Sequence, residues 1–234
     1  MPPNALTDIV TTVHDYLQYL QRLGVTELPL PALPQQGKTR EDLQLSPARR
    51  LQQLAETTRH CQQCRLSKSR TQVVFGTGNP EADLVFVGEA PGRDEDEQGE
   101  PFVGPAGQLL TRIIEAIGLR REHVYMLNVI KCRPPNNRNP LPDELVACRP
   151  ILQAQLACLQ PRVICALGNF AAQALLHTEE KISRLRGRLH WFGDMQVMPT
   201  YHPAYLLRNP QAKRAVWEDM QLVQRALGLR SQRG

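Results

Sequence analysis

The chain has 234 residues, 41% of them hydrophobic, and a formal charge of +5, which suits one well-packed core with a small appendage. No stretch approaches the roughly 18 apolar residues of a membrane span, and the first residues lack the basic and apolar segments of a secretory signal. Six cysteines in such a chain favour metal ligation or free thiols over a disulfide framework. We therefore expect a cytoplasmic monomer without membrane association.

The charge is unevenly distributed. Residues 1–45 carry three cations against five anions, whereas residues 181–234 carry ten cations against three anions. A basic C-terminal quarter is typical of a protein that binds a phosphate backbone. An ordinary solvated face has the same composition, so the charge alone leaves both interpretations open.

The N-terminal part separates from the rest by its pattern. Apolar residues of 5–23 recur at intervals of three and four, which predicts an amphipathic helix, and residues 28–36 read LPLPALPQQ, a proline-rich linker. We therefore treat residues 1–45 as an extension that is free to contact an unknown protein partner. Residues 46–228 form the predicted compact domain, and residues 229–234 a short tail.

The compact domain alternates short apolar runs with longer amphipathic ones. It opens with a helix that Ser46 caps and Pro47 begins, ending near Thr58. Its predicted strands are Leu84–Gly88, Val124–Ile130, Arg162–Leu167 and Gln196–Thr200. Its other predicted helices are Ala106–Ile117, Pro142–Leu159, Asn169–His177 and Gln211–Leu227. This alternation predicts an α/β fold whose mainly parallel sheet is covered on both faces and binds ligands outside the carboxyl ends of its strands.

Four cysteines have the spacing of a metal centre: Cys61, Cys64, Cys132 and Cys148. The first two form a C-x-x-C, and two distant single cysteines can complete a four-sulfur shell once the chain folds. The C-x-x-C and both single cysteines are flanked by cations, Arg65, Lys131, Arg133 and Arg149, and such neighbours lower thiol pKa values and offset the charge of thiolates. A set of unrelated thiols is the alternative. For Cys158 and Cys165, which lie in apolar runs, we expect core packing.

The first predicted strand is followed by two glycine-rich loops. It ends in the sequence GEAPG, residues 88–92, a sharp turn that lets backbone amides approach a ligand, although it is neither a phosphate P-loop nor a dinucleotide motif. Downstream, the sequence GEPFVGPAG carries Phe102. This aromatic ring is either a core plug or a stacking platform, and its surroundings alone favour the plug.

Two further strand ends carry polar side chains. Asn128 lies inside an apolar strand, so its amide must find hydrogen bonds or lose about 1–3 kcal/mol. It is either a satisfied structural residue or a reader of a base edge, since a carboxamide offers both a donor and an acceptor. His202 follows the last predicted strand, between Pro199 and Pro203, in the basic quarter.

Together these motifs resemble one known family. GEAPG, GEPFVGPAGQLL, NVIKCRPPNNRNP and YHPAYLLRNP, with the four cysteines, closely resemble the family 4 uracil-DNA glycosylases, which are iron–sulfur members of the uracil-DNA glycosylase superfamily. The resemblance runs from about Cys61 to Leu227. It implies a three-layer α/β/α sandwich around a four-stranded, mainly parallel sheet, and one 4Fe–4S cluster held by the four cysteines. Spacing by itself leaves zinc open.

The resemblance also implies roles for the strand-end residues in excising uracil from DNA. Phe102 would stack on a flipped uracil, and Asn128 would hydrogen-bond its edge. The turn at Gly88, with backbone amides around Ala90 and Phe102, would hold the uracil carbonyls, and His202 would lie on the O2 side. The DNA-binding residues would form a loop that enters the duplex: Tyr205, Leu206, Leu207 and Arg208.

The group that positions the attacking water is less defined. Other branches of the superfamily have an aspartate where this chain has Ala90. The remaining candidates are, in order of preference, Glu95, Asn137 and Glu89. Two other functions stay open from the residues alone: a non-catalytic iron–sulfur protein that binds nucleic acid, and a zinc-stabilised scaffold or polymerase-interaction module.

Overall fold

The structure is a computed structural model, and it describes residues 45–229. The predicted helix over 5–23, the proline-rich linker and nearly all of the tail lie outside the described residues. Between residues 45 and 229, no helix is both long and apolar enough to cross a membrane.

The described residues fold into helices and short strands that alternate along the chain. The α-helices are α1 (Pro47–Arg59), α2 (Arg93–Gln98), α3 (Pro105–Ala116), α4 (Pro142–Leu159), α5 (Asn169–Leu176), α6 (Ile182–Leu185), α7 (Pro203–Arg208) and α8 (Lys213–Leu227). The strands are β1 (Thr77–Gly78), β2 (Leu84–Gly88), β3 (Tyr125–Asn128), β4 (Val163–Leu167), β5 (His190–Phe192) and β6 (Met195–Thr200). Single 3₁₀ turns cover Arg65–Lys68, Arg121–His123, Pro135–Asn137 and Pro210–Ala212.

The helix boundaries follow local signals that are readable in the sequence. The Ser46 hydroxyl accepts a hydrogen bond from the backbone N–H of Arg49 at 3.4 Å, and Pro47 occupies the first turn of α1, as predicted. The helix α4 has the predicted bounds. The predicted bounds of α3, α5 and α8 differ from the observed ones by one or two residues, since the terminal turns are set by capping.

One mixed sheet of six strands, in the order β1-β3-β2-β4-β6-β5, forms the centre. The four predicted strands are its parallel core, and β1 and β5 add antiparallel edges that the sequence analysis does not contain. These edges have only two and three residues, too few for a visible apolar period. The strands β5 and β6 form a hairpin around Gly193, whose φ of 58° suits a tight turn.

Two hydrophobic cores lie on opposite faces of the sheet. Alternate residues of β2 divide between them, because successive side chains of a strand point to opposite faces. Val85 and Val87 pack with residues of α4 and α5, whereas Leu84 and Phe86 pack with residues of α3 and α8. Cys165 belongs to the second core, as predicted. The three-layer α/β/α architecture is therefore confirmed.

The parallel order fixes where a site can form. The strands β2, β3, β4 and β6 run in the same direction, so their carboxyl ends, at Gly88, Asn128, Leu167 and Thr200, lie along one edge of the sheet. We call this the carboxyl edge. All of the strand-end motifs of the sequence follow it, which brings them into one region of the molecule.

Candidate functional site

Three residues meet at the centre of the carboxyl edge. Gly88 and Asn128 are register partners at the ends of β2 and β3. A Cβ atom built on Gly88 would contact the side-chain oxygen of Asn128 and lie 2.5 Å from Cζ of Phe102. Only glycine therefore leaves room for both side chains, and the three residues that the resemblance assigns to the base are brought together.

The side-chain amide of Asn128 has no protein partner at this edge. The residue is 2% exposed, yet its side-chain amide makes no hydrogen bond with any residue that the structure describes. Its oxygen and nitrogen are not among the fully buried unpaired side-chain atoms of the described residues, so they reach the open space of the site. A purely structural asparagine would have its amide hydrogen-bonded by the protein, and the described residues provide no such partner. The amide of Asn128 is therefore available to a ligand.

Phe102 is held in an unfavourable backbone conformation. Its φ is 57°, in the left-handed region that a non-glycine residue rarely occupies. Arg121, on the 3₁₀ turn before β3, donates a hydrogen bond to the carbonyl oxygen of Pro101 at 2.8 Å and another to the Thr111 hydroxyl at 3.2 Å. The loop is thus fixed on the N-terminal side of Phe102 by a cation 19 positions away in sequence.

Glu95 fixes the same loop on its other side. One carboxylate oxygen accepts the backbone N–H groups of Val103 and Gly104 at 3.1 and 3.0 Å, and the other accepts that of Gly92 at 3.1 Å. The side chain therefore ties the GEAPG turn to the loop that carries Phe102. Glu95 therefore positions the two loops. Both of its carboxylate oxygens are occupied, although it is the first predicted candidate for binding the attacking water.

The other two candidates for positioning water differ in burial. Asn137 is exposed, has a φ of 53°, and its side-chain oxygen accepts a hydrogen bond from Nε of Arg133 at 2.7 Å. Glu89 is partly buried, and burial raises the pKa of its carboxyl above the ordinary value. Among the described residues the Glu89 carboxylate has no hydrogen-bond or ion-pair partner, which leaves both of its oxygens open to water.

The ring of His202 lies near that of Phe102, with 6.0 Å between the two ring centroids. It caps α7, because its Nδ1 accepts the backbone N–H of Ala204 at 3.1 Å. Burial, with a smaller contribution from the nearby charge of Arg208, lowers the pKa of His202 to about 4. The ring is therefore neutral near pH 7, and its proton lies on Nε2, away from the backbone.

The predicted DNA-entering loop is a helix. Residues Tyr205 to Arg208 belong to α7, so the expectation of a loop is wrong. A short helix must bury one face, and Leu206, only 1% exposed, packs in the core with Leu109 and Met220. Tyr205 and Leu207 are 39% and 46% exposed, so they, and not Leu206, extend into solvent from this helix.

The four cysteines converge on one small cavity. Cys61 and Cys64 are partly buried, Cys132 and Cys148 are buried, and all four line the cavity together with Arg70 and Lys131. Arg70 donates a hydrogen bond to the sulfur of Cys132 at 3.3 Å. Burial nevertheless raises the pKa of the Cys132 thiol to about 11.

A buried lysine lies beside the four thiols. In the part of the chain that the structure describes, no group of three or more His, Cys, Asp or Glu side chains is arranged to hold one metal ion. Lys131, beside the thiols, is 1% exposed, and its ammonium donates a hydrogen bond to the carbonyl oxygen of Asn128 at 2.5 Å. This contact connects the cysteine cavity directly to the strand end that presents Asn128.

Two positioning contacts are not predictable from local sequence. Arg121 and Arg70 are ordinary cations in polar segments, and their partners lie far away along the chain. The one available signal for Arg70 is its place six residues after Cys64 in a segment rich in cations. For Arg121 we find none.

Comparisons with known proteins agree with this site. The profile of the Uracil DNA glycosylase superfamily matches residues 75–221. A Type-4 uracil-DNA glycosylase of Archaeoglobus fulgidus is 47% identical over 171 residues, which is 70% of this chain and 86% of the relative. Relatives with the same name from Thermotoga maritima and Saccharolobus solfataricus are 45% and 44% identical, over 78% and 74% of this chain and 94% and 85% of their own lengths. The chain therefore belongs to the uracil DNA glycosylase superfamily, among the type-4 uracil-DNA glycosylases.

Proposed function

We propose that this protein removes uracil from DNA. It hydrolyses the N-glycosidic bond between uracil and deoxyribose, and it leaves free uracil and an abasic site for base excision repair. The observation that carries the proposal is the unpartnered amide of Asn128, which lies against Gly88 and Phe102 at the carboxyl edge. The names of the relatives, Type-4 uracil-DNA glycosylase, support the same reaction.

The base is recognised by its edge and its face. A carboxamide accepts from the N3–H group of uracil while it donates to O4, and cytosine presents the opposite arrangement at both atoms. Phe102 stacks on the face of the base. Arg121 and Glu95 hold its left-handed backbone, which fixes the position of the ring. A stacked base cannot reach this pocket, so the nucleotide must leave the duplex at a cost of a few kcal/mol.

The chemical step places negative charge on the departing uracil and positive charge on the sugar. His202 stabilises the anion by donating a hydrogen bond from Nε2 to uracil O2, and its neutral ring needs no proton from solvent. Glu89 positions the attacking water, because its carboxylate is partly buried and open, whereas that of Glu95 is occupied by three backbone N–H groups. Glu95 acts by holding the loops.

One 4Fe–4S cluster fills the cysteine cavity in this proposal. Four thiols line one cavity, which is the ligand set of a four-cysteine iron–sulfur cluster, and the resemblance to the iron–sulfur glycosylases favours the cluster over zinc. Cys61, Cys64, Cys132 and Cys148 would hold it. When bound, the cluster joins the segment after α1, the end of β3 and the first part of α4, which stabilises the fold.

The glycosylase activity is tested with a uracil-containing oligonucleotide. After incubation with the protein and treatment with alkali, the strand should break at the uracil position. Matched oligonucleotides with thymine or cytosine at that position should remain intact. Binding of the oligonucleotide without any break would make the protein a non-catalytic DNA-binding protein and overturn the proposal.

The cluster is tested separately from the activity. Protein purified in air should be brown, absorb near roughly 400 nm and contain about four irons per chain. Cys132→Ala should lose iron and solubility together, while Cys158→Ala, outside the four-cysteine set, should keep both. Zinc in place of iron, or soluble active protein without either metal, would contradict the assignment.

A further inference from the structure

We infer that Arg184 and Arg188 form a second contact with DNA, a phosphate-binding site beside the base pocket. The inference rests on the proposed function, since it takes DNA as the substrate. Both arginines are exposed, and neither guanidinium has an ion-pair or hydrogen-bond partner within residues 45–229. Such side chains are common on protein surfaces, so the argument depends on where the fold holds them.

The chain between α5 and α6 returns to the carboxyl edge. The helix α5 begins at Asn169, directly after the carboxyl end of β4, and runs away from that edge. Gln173, midway along α5, donates hydrogen bonds to the backbone carbonyls of Glu179 and Glu180 at 3.1 Å each. The backbone N–H of Ile182 then donates to the Asn169 side chain at 2.7 Å, so α6 begins back at the carboxyl edge.

The end of α6 is fixed at the same edge by Arg186. This side chain forms a two-bond ion pair with the fully buried Asp219 of α8, at 2.9 and 3.0 Å. Asp219 also accepts a hydrogen bond at 2.6 Å from the hydroxyl of Thr200, the last residue of β6. The guanidinium lies 5.5 Å from the ring centroid of Tyr201, the residue before His202. Arg186 is therefore a structural anchor, unlike its two exposed neighbours.

The anchored segment presents its free arginines next to the predicted DNA-facing helix. The ring of Tyr201, which Arg186 supports, is 5.1 Å from that of the exposed Tyr205. Gly187, with a φ of 82° and open space around its α-carbon, turns the chain between Arg186 and Arg188. The two free arginines therefore flank Arg186, which contacts Tyr201, and the ring of Tyr201 neighbours that of Tyr205.

The electrostatics of this surface suit a phosphodiester. Two acidic residues, Glu179 and Glu180, are near in sequence but lie alongside the middle of α5, further from the carboxyl edge. Gln173 holds their backbone there. Arg208, at the end of α7, adds a third exposed cation without an ion pair among the described residues. A guanidinium can make two parallel hydrogen bonds to one phosphate. We place the phosphates that flank the flipped nucleotide on Arg184 and Arg188.

The test compares two double variants that remove the same charge. Arg184→Ala with Arg188→Ala changes the proposed site. Arg120→Ala with Arg225→Ala changes exposed arginines near the opposite edge, since Arg120 lies just before β3 and Arg225 lies in the last turn of α8. The measurement is the affinity for a uracil-free duplex at several salt concentrations, by fluorescence anisotropy, with thermal unfolding to check that both variants fold.

Each lost phosphate contact reduces the magnitude of the slope of log affinity against log salt by about 0.9. The slope of the site variant should therefore be shallower than that of wild type by roughly two units. Its affinity near 0.1 M salt should fall by at least about tenfold, and the control should stay close to wild type. An equal slope in both variants would overturn this inference and leave the proposed function intact. A protein that binds duplex through these arginines without excising uracil would overturn only the proposed function.

Discussion

Nδ1 of His202 accepts the backbone N–H of Ala204 at 3.1 Å, and this single contact fixes which ring nitrogen carries the proton. Nδ1 must be unprotonated to accept, so the neutral ring has its proton on Nε2, where it can donate to uracil O2. His202→Ala should lower the single-turnover rate of uracil excision by about 10²–10³-fold, the usual loss when one donor to a developing anion is removed. Affinity for duplex DNA should persist, because phosphate contacts dominate it. A rate within about threefold of wild type would contradict the role of His202 as such a donor.

The same contact predicts the pH dependence. Because burial lowers the pKa of His202 to about 4, the ring stays neutral above that pH, and only below it is Nδ1 protonated and unable to accept from Ala204. As the pH passes through about 6.5, the ordinary pKa of histidine, the single-turnover rate should therefore not change. Measuring the rate between pH 8 and pH 4 checks this. A limb near pH 6.5 that disappears in His202→Ala would contradict the neutral ring.

Asn128 should decide which base is excised. In Asn128→Asp the new carboxylate only accepts hydrogen bonds, and it would face the O4 oxygen of uracil. Uracil excision should fall strongly, and some cytosine excision should appear, since the exocyclic amine of cytosine donates at that position. Single-turnover assays with matched uracil and cytosine oligonucleotides measure both. Unchanged uracil excision would show that Asn128 does not read the base.

Much of this site follows from sequence because its parts lie at strand ends. The strand preceding Gly88 and the one ending in Asn128 are short apolar runs, and parallel strands must bring their carboxyl ends to one edge. What local sequence cannot give is which side of a short helix is buried. Leu206 and Leu207 are adjacent and identical in type, and only packing against α3 and α8 separates their exposure.

The contacts that hold the site are also hidden in the sequence. The resemblance directs attention to Glu95 as a group for water, but its carboxylate is occupied by backbone N–H groups that a linear sequence does not place. Arg186 and Asp219 are 33 residues apart and look like ordinary surface charges until α8 packs on the sheet. Such pairs depend on tertiary structure, which periodicity does not encode.

Glu89 and Glu95 should differ in what their removal affects. Glu89→Gln should lower the single-turnover rate while the thermal stability stays near wild type, because its carboxylate has no partner among the described residues. Its raised pKa implies that wild-type activity falls as the carboxyl is protonated at acidic pH, and Glu89→Gln should remove this limb. Glu95→Gln should instead lower the melting temperature, since it weakens hydrogen bonds to three backbone N–H groups. Equal effects in both variants would contradict the division of roles.

Gly88 tests the shape of the pocket with a single methyl group. In Gly88→Ala the new Cβ would lie 2.5 Å from Cζ of Phe102 and even closer to the Asn128 oxygen, so one of the two side chains must move. Overpacking of this kind costs about 1–3 kcal/mol, and we expect at least about a tenfold loss in the excision rate. Circular dichroism should still show a folded protein. A fully active Gly88→Ala would show that the base lies elsewhere.

Arg121 is one of the residues whose role only the structure reveals, and its prediction separates positioning from general stability. It holds the Pro101 carbonyl and thereby the left-handed backbone of Phe102, without reaching the base itself. Arg121→Ala should loosen the stacking ring, so the substrate concentration at half-maximal rate should rise more than the maximal rate falls. Arg121→Lys should restore little of the lost activity. The planar guanidinium of arginine bonds both Pro101 and Thr111, and a lysine ammonium cannot reproduce that geometry. Arg120→Ala, which removes an exposed neighbour paired with Glu122, is the matched control and should leave both parameters unchanged. If Arg121→Ala lowered only the melting temperature, with both kinetic parameters at wild-type values, Phe102 would not depend on this contact for its position.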